Sequence, residues 1–173
     1  RFQKSIVKQL CRIANVAFTN CGVYHELLKQ VLDNKEIQTV CTGIFSNIPD
    51  DLYDSSIRKE AHSLVVFGSY HKRKAVYGNP LFRKLVHALE IDTIYDIGPD
   101  EYHFSDAGIT LHRKGVLNSH ELALYLNKVQ YGALSYAPHL LGKSGIFSAY
   151  AAFGIIPVNL PLTDHRLYDG LVE

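Results

Sequence analysis

The chain has 173 residues, of which 47% are hydrophobic and 20% charged, and its formal net charge is +1. This composition predicts a folded chain with a buried core, and a net charge so close to zero argues against nucleic acid as a partner. No apolar run is long enough to span a bilayer and no signal peptide opens the sequence, so we expect no transmembrane segment. The cysteines (Cys11, Cys21 and Cys41) form no CxxC pair and predict buried thiols in a reducing compartment, which we take to be the cytoplasm.

The amino-terminal stretch predicts two helices and two extended segments. Apolar residues recur at helical spacing over residues 2–14 and again over 23–31, while NVAFT (15–19) and IQTVCTGIF (37–45) are rich in residues that favour strands. The polar, proline-containing stretch SNIPDDLYD (46–54) is typical of a linker, so we place a domain boundary within it, near its middle.

The rest of the chain alternates between buried strands and helices, about every twenty residues, which predicts an α/β domain. The sheet is expected to be Rossmann-like and mostly parallel, with helices on both faces, and ligands would bind at the carboxyl ends of its strands. The predicted strands are SLVVFG (63–68), DTIYDIG (92–98), ITLH (109–112), YGALSYA (131–137) and IIPV (155–158).

The connections between these strands carry helix and loop signals. Asn79-Pro80 marks a helix start, and Asn118 with Glu121 forms a capping box. SSIRKEAH (55–62) predicts a short helix, and SYHKRKAVYG (69–78) predicts a basic loop directly after a buried strand.

A strand, a glycine-bearing loop and a helix over residues 131–160 make an anion site. The first backbone N–H groups of the helix lack internal partners, and the helix dipole favours negative charge there. Lys143 and Ser144 would lie at this site, with the amide of Gly145 and the side chain of His139 beside them.

The run HKRK (71–74) is a second candidate for binding an anion. A basic loop after the strand that ends at Gly68 would complement a diphosphate lying across the end of the sheet, with Lys74 as the main charge and Arg73 in reserve. A solvated surface run of charge is the alternative.

APHLLGKS (137–144) also fits a permissive P-loop pattern, although Ala137 stands where the first glycine is usual and Pro138 removes an amide. A nucleotide hydrolase of that type and a simple strand-to-helix turn with a surface lysine both stay open. The chain has no HxxxH, HExxH or Asp-x-Asp motif, so we expect no protein metal site, and it lacks the G-x-S-x-G elbow of serine hydrolases.

The order of these pieces resembles the C-terminal, donor-binding domain of a GT-B glycosyltransferase of the glycogen synthase/sucrose synthase-like group. VVFG with Lys74 after it, GVLNSHELALYL (115–126) and GKSGIFSAYAAFGIIPV (142–158) occur in the order that this family shows. NVAFTNCGVYHELL resembles the last strand and helix of the acceptor domain, and FSNIP the interdomain linker.

The resemblance implies transfer of a sugar from a nucleotide sugar, a UDP-sugar in the simplest case, to an acceptor that the sequence does not identify. No metal or other cofactor would be needed, because Lys74 and Lys143 would stabilise the leaving diphosphate as the catalytic charges. The implied nucleotide-sugar-binding residues are Gly68, Ser69, Arg73, Val116, Leu117, His139, Ser144 and Gly145, with Val116 and Leu117 near the base.

The resemblance also implies a division of the chain. Residues 1–49 would be the tail of the acceptor-side domain with the linker, and 50–173 the nucleotide-sugar-binding domain, truncated at its C-terminus. The missing N-terminal acceptor domain would then be a partner, and this chain alone would transfer no sugar. The family usually has an arginine at Ser69 and glutamates near Leu141 and Ala149, so a non-catalytic descendant with an assembly role is a further alternative.

Overall fold

The structure, a computed structural model, describes residues 2–32 and 37–161, and the predicted truncated end of the chain at 162–173 lies outside this part. The chain divides into two compact units, which we call the amino-terminal unit and the sheet unit. The amino-terminal unit consists of Arg1–Phe45 and His139–Ser144, and the sheet unit of Ser46–Pro138 and Gly145–Glu173.

The amino-terminal unit is a small parallel arrangement of two strands and two helices. Strands β1 and β2 pair in parallel, with Val16 opposite Gln38. Neither strand contains a buried residue among those described. The elements are α1 (Phe2–Ile13), β1 (Val16–Thr19), α2 (Gly22–Leu32) and β2 (Gln38–Cys41), in the order that the sequence predicts.

The sheet unit contains five parallel strands in the order β5-β4-β3-β6-β7. The predicted α/β fold with a Rossmann-like parallel sheet is therefore confirmed. The apolar runs in β3 and β4 account for their burial, which covers residues 63–66 of β3 and all but the first residue of β4. The strands are β3 (Glu60–Phe67), β4 (Thr93–Ile97), β5 (Thr110–Gly115), β6 (Val129–Ser135) and β7 (Ile156–Leu160).

The path of the chain through this sheet reverses between β3 and β6. From β3 the chain moves outward to β4 and β5, then crosses back to β6 on the other side of β3 and continues to β7. Because β3 and β6 are adjacent and parallel, Gly68 and Tyr136, which directly follow them, lie at the same edge of the sheet. Ligands of open α/β sheets bind outside the carboxyl ends of the strands at such a reversal.

The described part of the sheet unit contains four α-helices and a short 3₁₀ helix, Asp50–Leu52, and one of the α-helices corrects a prediction. The segment predicted as a basic loop is α3, because Arg73, Val76 and Tyr77 recur at helical spacing and form its buried face. The segment predicted as a short helix instead contains the start of β3, where Glu60 pairs with Val129. The helices are α3 (Tyr70–Tyr77), α4 (Phe82–Ala88), α5 (Ser119–Lys128) and α6 (Gly145–Ala152).

Two of the predicted helix starts can be compared with the structure. Asn118 caps α5 in a full capping box: its side chain accepts from the Glu121 amide at 3.0 Å, and the Glu121 carboxylate accepts from the Asn118 amide at 3.1 Å. Asn79 accepts from the amide of Leu81 at 3.0 Å, and the regular helix α4 begins one residue later.

Helix α6 packs on the sheet through Tyr150, which is fully buried. The Tyr150 ring lies over Gly132 of β6, where a Cβ atom would come within 2.6 Å of it. Its hydroxyl lies 3.2 Å from the carbonyl oxygen of Val65 and 3.1 Å from that of Ala133. Phe67 meets the same ring edge-on at 5.4 Å between centroids. These contacts fix α6 beside the carboxyl half of β3.

Within residues 2–32 and 37–161, no helix combines the length and the apolar character that crossing a bilayer requires.

Candidate functional site

Three loops at the carboxyl edge of the sheet are tied together by backbone hydrogen bonds. The Gly68 amide, after β3, donates to the carbonyl oxygen of Ile97 at the end of β4, at 3.1 Å. The Gly98 amide, after β4, donates to the carbonyl oxygen of Gly115 at the end of β5, at 2.8 Å. The loops that follow β3, β4 and β5 therefore form one continuous edge.

A buried arginine joins two of these loops. Arg73 of α3 is 1% exposed, and its guanidinium donates to both carboxylate oxygens of Asp96 at 2.7 Å. It also donates to the carbonyl oxygens of Gly68 at 3.2 Å, of Asp100 at 2.7 Å and of Pro99. The buried charges of this pair are thus matched and hydrogen-bonded, as a buried ion pair requires.

Glycine is needed where these loops meet. Gly98 has φ of +151°, and a Cβ atom built there would lie 2.7 Å from Nε of Arg73 and would collide with the carbonyl oxygen of Gly68. Gly68 has φ of +129°, and a Cβ atom there would lie 2.9 Å from Cδ1 of Ile146 in α6. Both positions combine a backbone conformation that favours glycine with a close approach of neighbouring groups.

A cleft of about 430 Å³ opens beside this junction. Its polar groups are carboxylates and one guanidinium, which can accept and donate hydrogen bonds to a ligand. Val116, named from the sequence, adds an apolar side chain that is 73% exposed. The lining residues are Asp96, Gly98, Pro99, Asp100, Glu101, Arg113, Gly115 and Val116, all from the loops after β4 and β5.

A lysine lies over the crevice between β3 and β6. Nζ of Lys72 is 4.0 Å from the centroid of the Tyr136 ring. The backbone of Tyr136 is held in turn by the side chain of Asn159, whose Oδ1 accepts from the Tyr136 amide and whose Nδ2 donates to the Tyr136 carbonyl oxygen, both at 3.0 Å. The crevice at the reversal of the sheet therefore carries a positive charge.

The sequence predicts Lys74 as the main charge at this edge, whereas the lysine over the crevice is Lys72. If residues 71–74 formed a loop, as the sequence predicts, any of their basic side chains could face a ligand. In a helix, residues two apart point about 200° away from each other, so Lys72 over the crevice leaves Lys74 on another side of α3. The phase of α3 depends on the burial of Arg73, which no local pattern indicates.

The remaining predicted residues of the sheet unit lie along the same edge. Ser69 is the N-cap residue of α3, and its side chain makes no capping hydrogen bond, so the first amides of α3 have no side-chain cap. Leu117 follows Val116 directly and is partly buried. Gly145 begins α6, and a Cβ atom there would lie 3.1 Å from the side-chain nitrogen of Asn47.

The amino-terminal unit contains three of the predicted site residues, His139, Lys143 and Ser144. Nζ of Lys143 donates to the hydroxyl of Tyr24 at 2.7 Å and lies 4.8 Å from the centroid of that ring. The predicted turn around them is a 3₁₀ helix, Pro138–Lys143, in which the Ser144 amide donates to the Leu141 carbonyl oxygen at 3.0 Å. Ser144 is fully buried, and His139 is exposed.

A P-loop presents a run of free amides to phosphate, whereas this 3₁₀ winding uses one of them internally. Ala149, where the family that the sequence resembles usually has a glutamate, is 1% exposed. In the part of the chain that the structure describes, no group of three or more His, Cys, Asp or Glu side chains could hold a metal ion.

Comparison of the chain with protein-family models, with curated proteins and with solved structures gives no match.

Proposed function

We propose that the sheet unit binds the nucleotide part of a nucleotide sugar and that the protein takes part in transferring that sugar to an acceptor. The observation that carries this proposal is the cleft at the carboxyl ends of β4 and β5, one strand away from the reversal between β3 and β6. Open α/β sheets bind ligands outside the carboxyl ends of their strands at such a reversal, so the cleft adjoins the expected position.

The chemistry of the edge suggests an orientation for the ligand. In the cleft, Asp100 and Glu101 would accept hydrogen bonds from ribose hydroxyls and base N–H groups, and Val116 would contact the flat face of the base. The same carboxylates would repel phosphate, so the diphosphate would lie toward the crevice, where Lys72 and the amides at the start of α3 favour negative charge.

Sugar transfer needs the leaving diphosphate to be stabilised, and positive charge with helix amides can do this without a metal ion. The resemblance gives this role to Lys74 and Lys143. The phase of α3 favours Lys72 over Lys74 for the charge beside β3, and Lys143 stays in the proposal as the second charge.

Two further parts of the proposal concern location and partner. A cytoplasmic location is supported by Cys11, Cys21 and Cys41, which form no disulfide with one another, although Cys41 is exposed and not buried as predicted. A partner domain that carries the acceptor is supported by β1 and β2, because strands of a parallel sheet are normally covered on both faces and these contain no buried residue among those described.

The test is calorimetric titration of UDP and of uridine into the wild type, Lys72→Ala, Lys74→Ala and Lys143→Ala, with Lys84→Ala as a control at an exposed lysine of α4. We expect Lys72→Ala to weaken UDP binding about ten- to a hundredfold, the worth of one charge-assisted contact, and to leave uridine binding nearly unchanged. Lys84→Ala should change neither. Absence of UDP binding by the wild type would contradict the proposal, and equal losses for UDP and uridine would place Lys72 outside the phosphate site.

A second candidate, a nucleotide-binding domain without transfer activity, is favoured by the buried Ala149, which leaves no carboxylate at that helix position. UDP binding by the chain, with no transfer after the acceptor domain is supplied, would support it. Titration of ATP with and without Mg²⁺ covers the P-loop alternative, which requires the metal and a triphosphate.

A further inference from the structure

We infer that Arg73 is a positioning residue: its buried guanidinium clamps the loop after β4 to the loop after β3 and so keeps the neighbouring cleft in its binding shape. The identity of the cleft's ligand rests on the proposed function, whereas the clamp itself rests on the contacts of Arg73 alone. The sequence suggests the opposite role, direct contact between Arg73 and the diphosphate.

Arg73 is fully engaged inside the protein. All three nitrogens of its guanidinium donate to protein acceptors, and the side chain is only 1% exposed. Nη1 donates to the carboxylate of Asp96, Nε to the carbonyl oxygen of Gly68, and Nη2 to those of Pro99 and Asp100. A phosphate could therefore be bound by Arg73 only if some of these bonds broke.

The clamp acts on residues that line the cleft. Pro99 and Asp100 are exposed and belong to a loop without regular structure, and Asp100 has a positive φ of 61°. Both residues line the cleft, as does Asp96, which holds the guanidinium in place. Fixing their backbone thus fixes one wall of the cleft before a ligand arrives, which lowers the entropy lost on binding.

A lysine could not replace this arginine. Its single ammonium has three donors and cannot span a carboxylate and three carbonyl oxygens at once. A matched surface arrangement exists for comparison: Arg83 donates to the carboxylate of Asp106 at 2.7 Å and to the carbonyl oxygen of Ser105 at 3.1 Å, but its side chain is 59% exposed. Such an exposed pair contributes little.

The test separates positioning from stability with a double variant, Arg73→Met with Asp96→Leu. It removes both buried charges together, and replacing a buried ion pair by apolar side chains is often neutral for stability. It also removes the bonds to the three carbonyl oxygens, which belong to loops that water can reach. Arg83→Met is the control, and Gly98→Ala is a second route to the same effect, since its methyl group would push the two loops apart.

Three quantities are measured on the full chain: the urea midpoint of unfolding, hydrogen exchange of the Gly68 and Gly98 amides, and the affinity for UDP. We expect the double variant to unfold near the wild-type midpoint. The two amides, which join the loops to β4 and β5, should exchange about ten- to a hundredfold faster, and UDP should bind weaker by a similar factor. Arg73→Lys should lose the same protection, and Arg83→Met should change none of the three.

Unchanged exchange of both amides in the double variant and in Gly98→Ala would overturn the clamp. Faster exchange with unchanged UDP affinity would overturn the positioning role. If the wild type binds no UDP, the proposed function fails, and the exchange rates alone then support or overturn the clamp. If the double variant does not fold, Gly98→Ala decides by the same criteria.

Discussion

The contact between Gly132 and Tyr150 allows a sharp test of how α6 is held on the sheet. In Gly132→Ala, the new methyl carbon would lie 2.6 Å from Cε2 and Cζ of the Tyr150 ring and 2.7 Å from Cε1. Carbon atoms in contact are normally 3.5–4.0 Å apart, so the ring or the strand would have to move by about 1 Å.

The ring cannot move without loss. The Tyr150 hydroxyl lies against the carbonyl oxygens of Val65 and Ala133, and its ring meets Phe67 edge-on. We therefore expect Gly132→Ala to lower the free energy of unfolding by an amount at the upper end of about 1–3 kcal/mol, the usual cost of overpacking. Urea denaturation followed by circular dichroism would measure it.

A double-variant cycle with Tyr150→Leu shows whether the collision is the cause. Leucine lacks the three ring-tip atoms that the new methyl group would meet, so Gly132→Ala should cost much less in the Tyr150→Leu background, with a coupling energy of about 1–3 kcal/mol. Gly43→Ala is the control, because nothing lies within 4 Å of a Cβ atom there. Equal costs of Gly132→Ala in both backgrounds would refute this reasoning.

Three further predictions concern stability, each read from denaturation curves. Ser63→Ala should lower the free energy of unfolding by about 1–3 kcal/mol, because the Ser63 hydroxyl accepts from the backbone amide of Gln130 in β6 at 3.0 Å. Ser135→Ala should be nearly neutral, because the buried Ser135 hydroxyl has no hydrogen-bond partner among the described residues. Asn118→Ala should cost about 1 kcal/mol through loss of the helix cap, and a cost near zero would mean that α5 is held by packing alone. Burial lowers the pKa of Lys59 to about 8, below its unfolded value of about 10.5. Between these two pH values the unfolded chain binds a proton that the folded chain does not, so the stability is present above about pH 10.5 and is lost as the pH falls through 8. The wild type should therefore gain stability relative to Lys59→Met as the pH rises from 8 to 10, and a flat difference would contradict that pKa.

The strands of the sheet unit could be predicted from the sequence because their signals are local. SLVVFG and TIYDIG are continuous apolar runs, and such runs indicate strands covered on both faces whatever lies around them. The alternation of strands with helices predicts a parallel sheet but not the order of its strands, so the reversal between β3 and β6 is seen only in the structure. The position of Gly68 at the ligand edge could be predicted because Gly68 directly follows a buried strand.

Helix α3 could not be predicted because one of its core positions is an arginine. Arg73 interrupts the apolar period, and its partner Asp96 is on another strand, so only the folded chain shows why a charge is buried there. The site prediction was affected as well, because without the phase of the helix the sequence cannot show which of Lys72 and Lys74 faces the crevice. Lys143 is similar, since its contact with Tyr24 joins distant parts of the sequence.

The start of β3 and the cleft could not be predicted from the sequence, for two different physical reasons. Residues 60–62, Glu-Ala-His, lack the apolar or β-branched run that indicates a strand. The irregular register that they introduce is bridged by the Ser63 hydroxyl. The cleft depends on how the loops after β4 and β5 approach each other, through the bond from Gly98 to Gly115 and the positive φ of Asp100, and neither leaves a periodic signal.

The central place of β3 has a consequence for how the protein is made. Leu64 pairs with Ile94 on one side and with Tyr131 on the other, so the second partner is about twice as far along the chain as the first. During synthesis at about 5–20 residues per second, one edge of the buried half of β3 stays unpaired for seconds before β6 leaves the ribosome. An open strand edge of this kind invites pairing with other chains, so this protein should depend on chaperones that bind nascent apolar segments, and slow translation between β4 and β6 should lower its yield of soluble product.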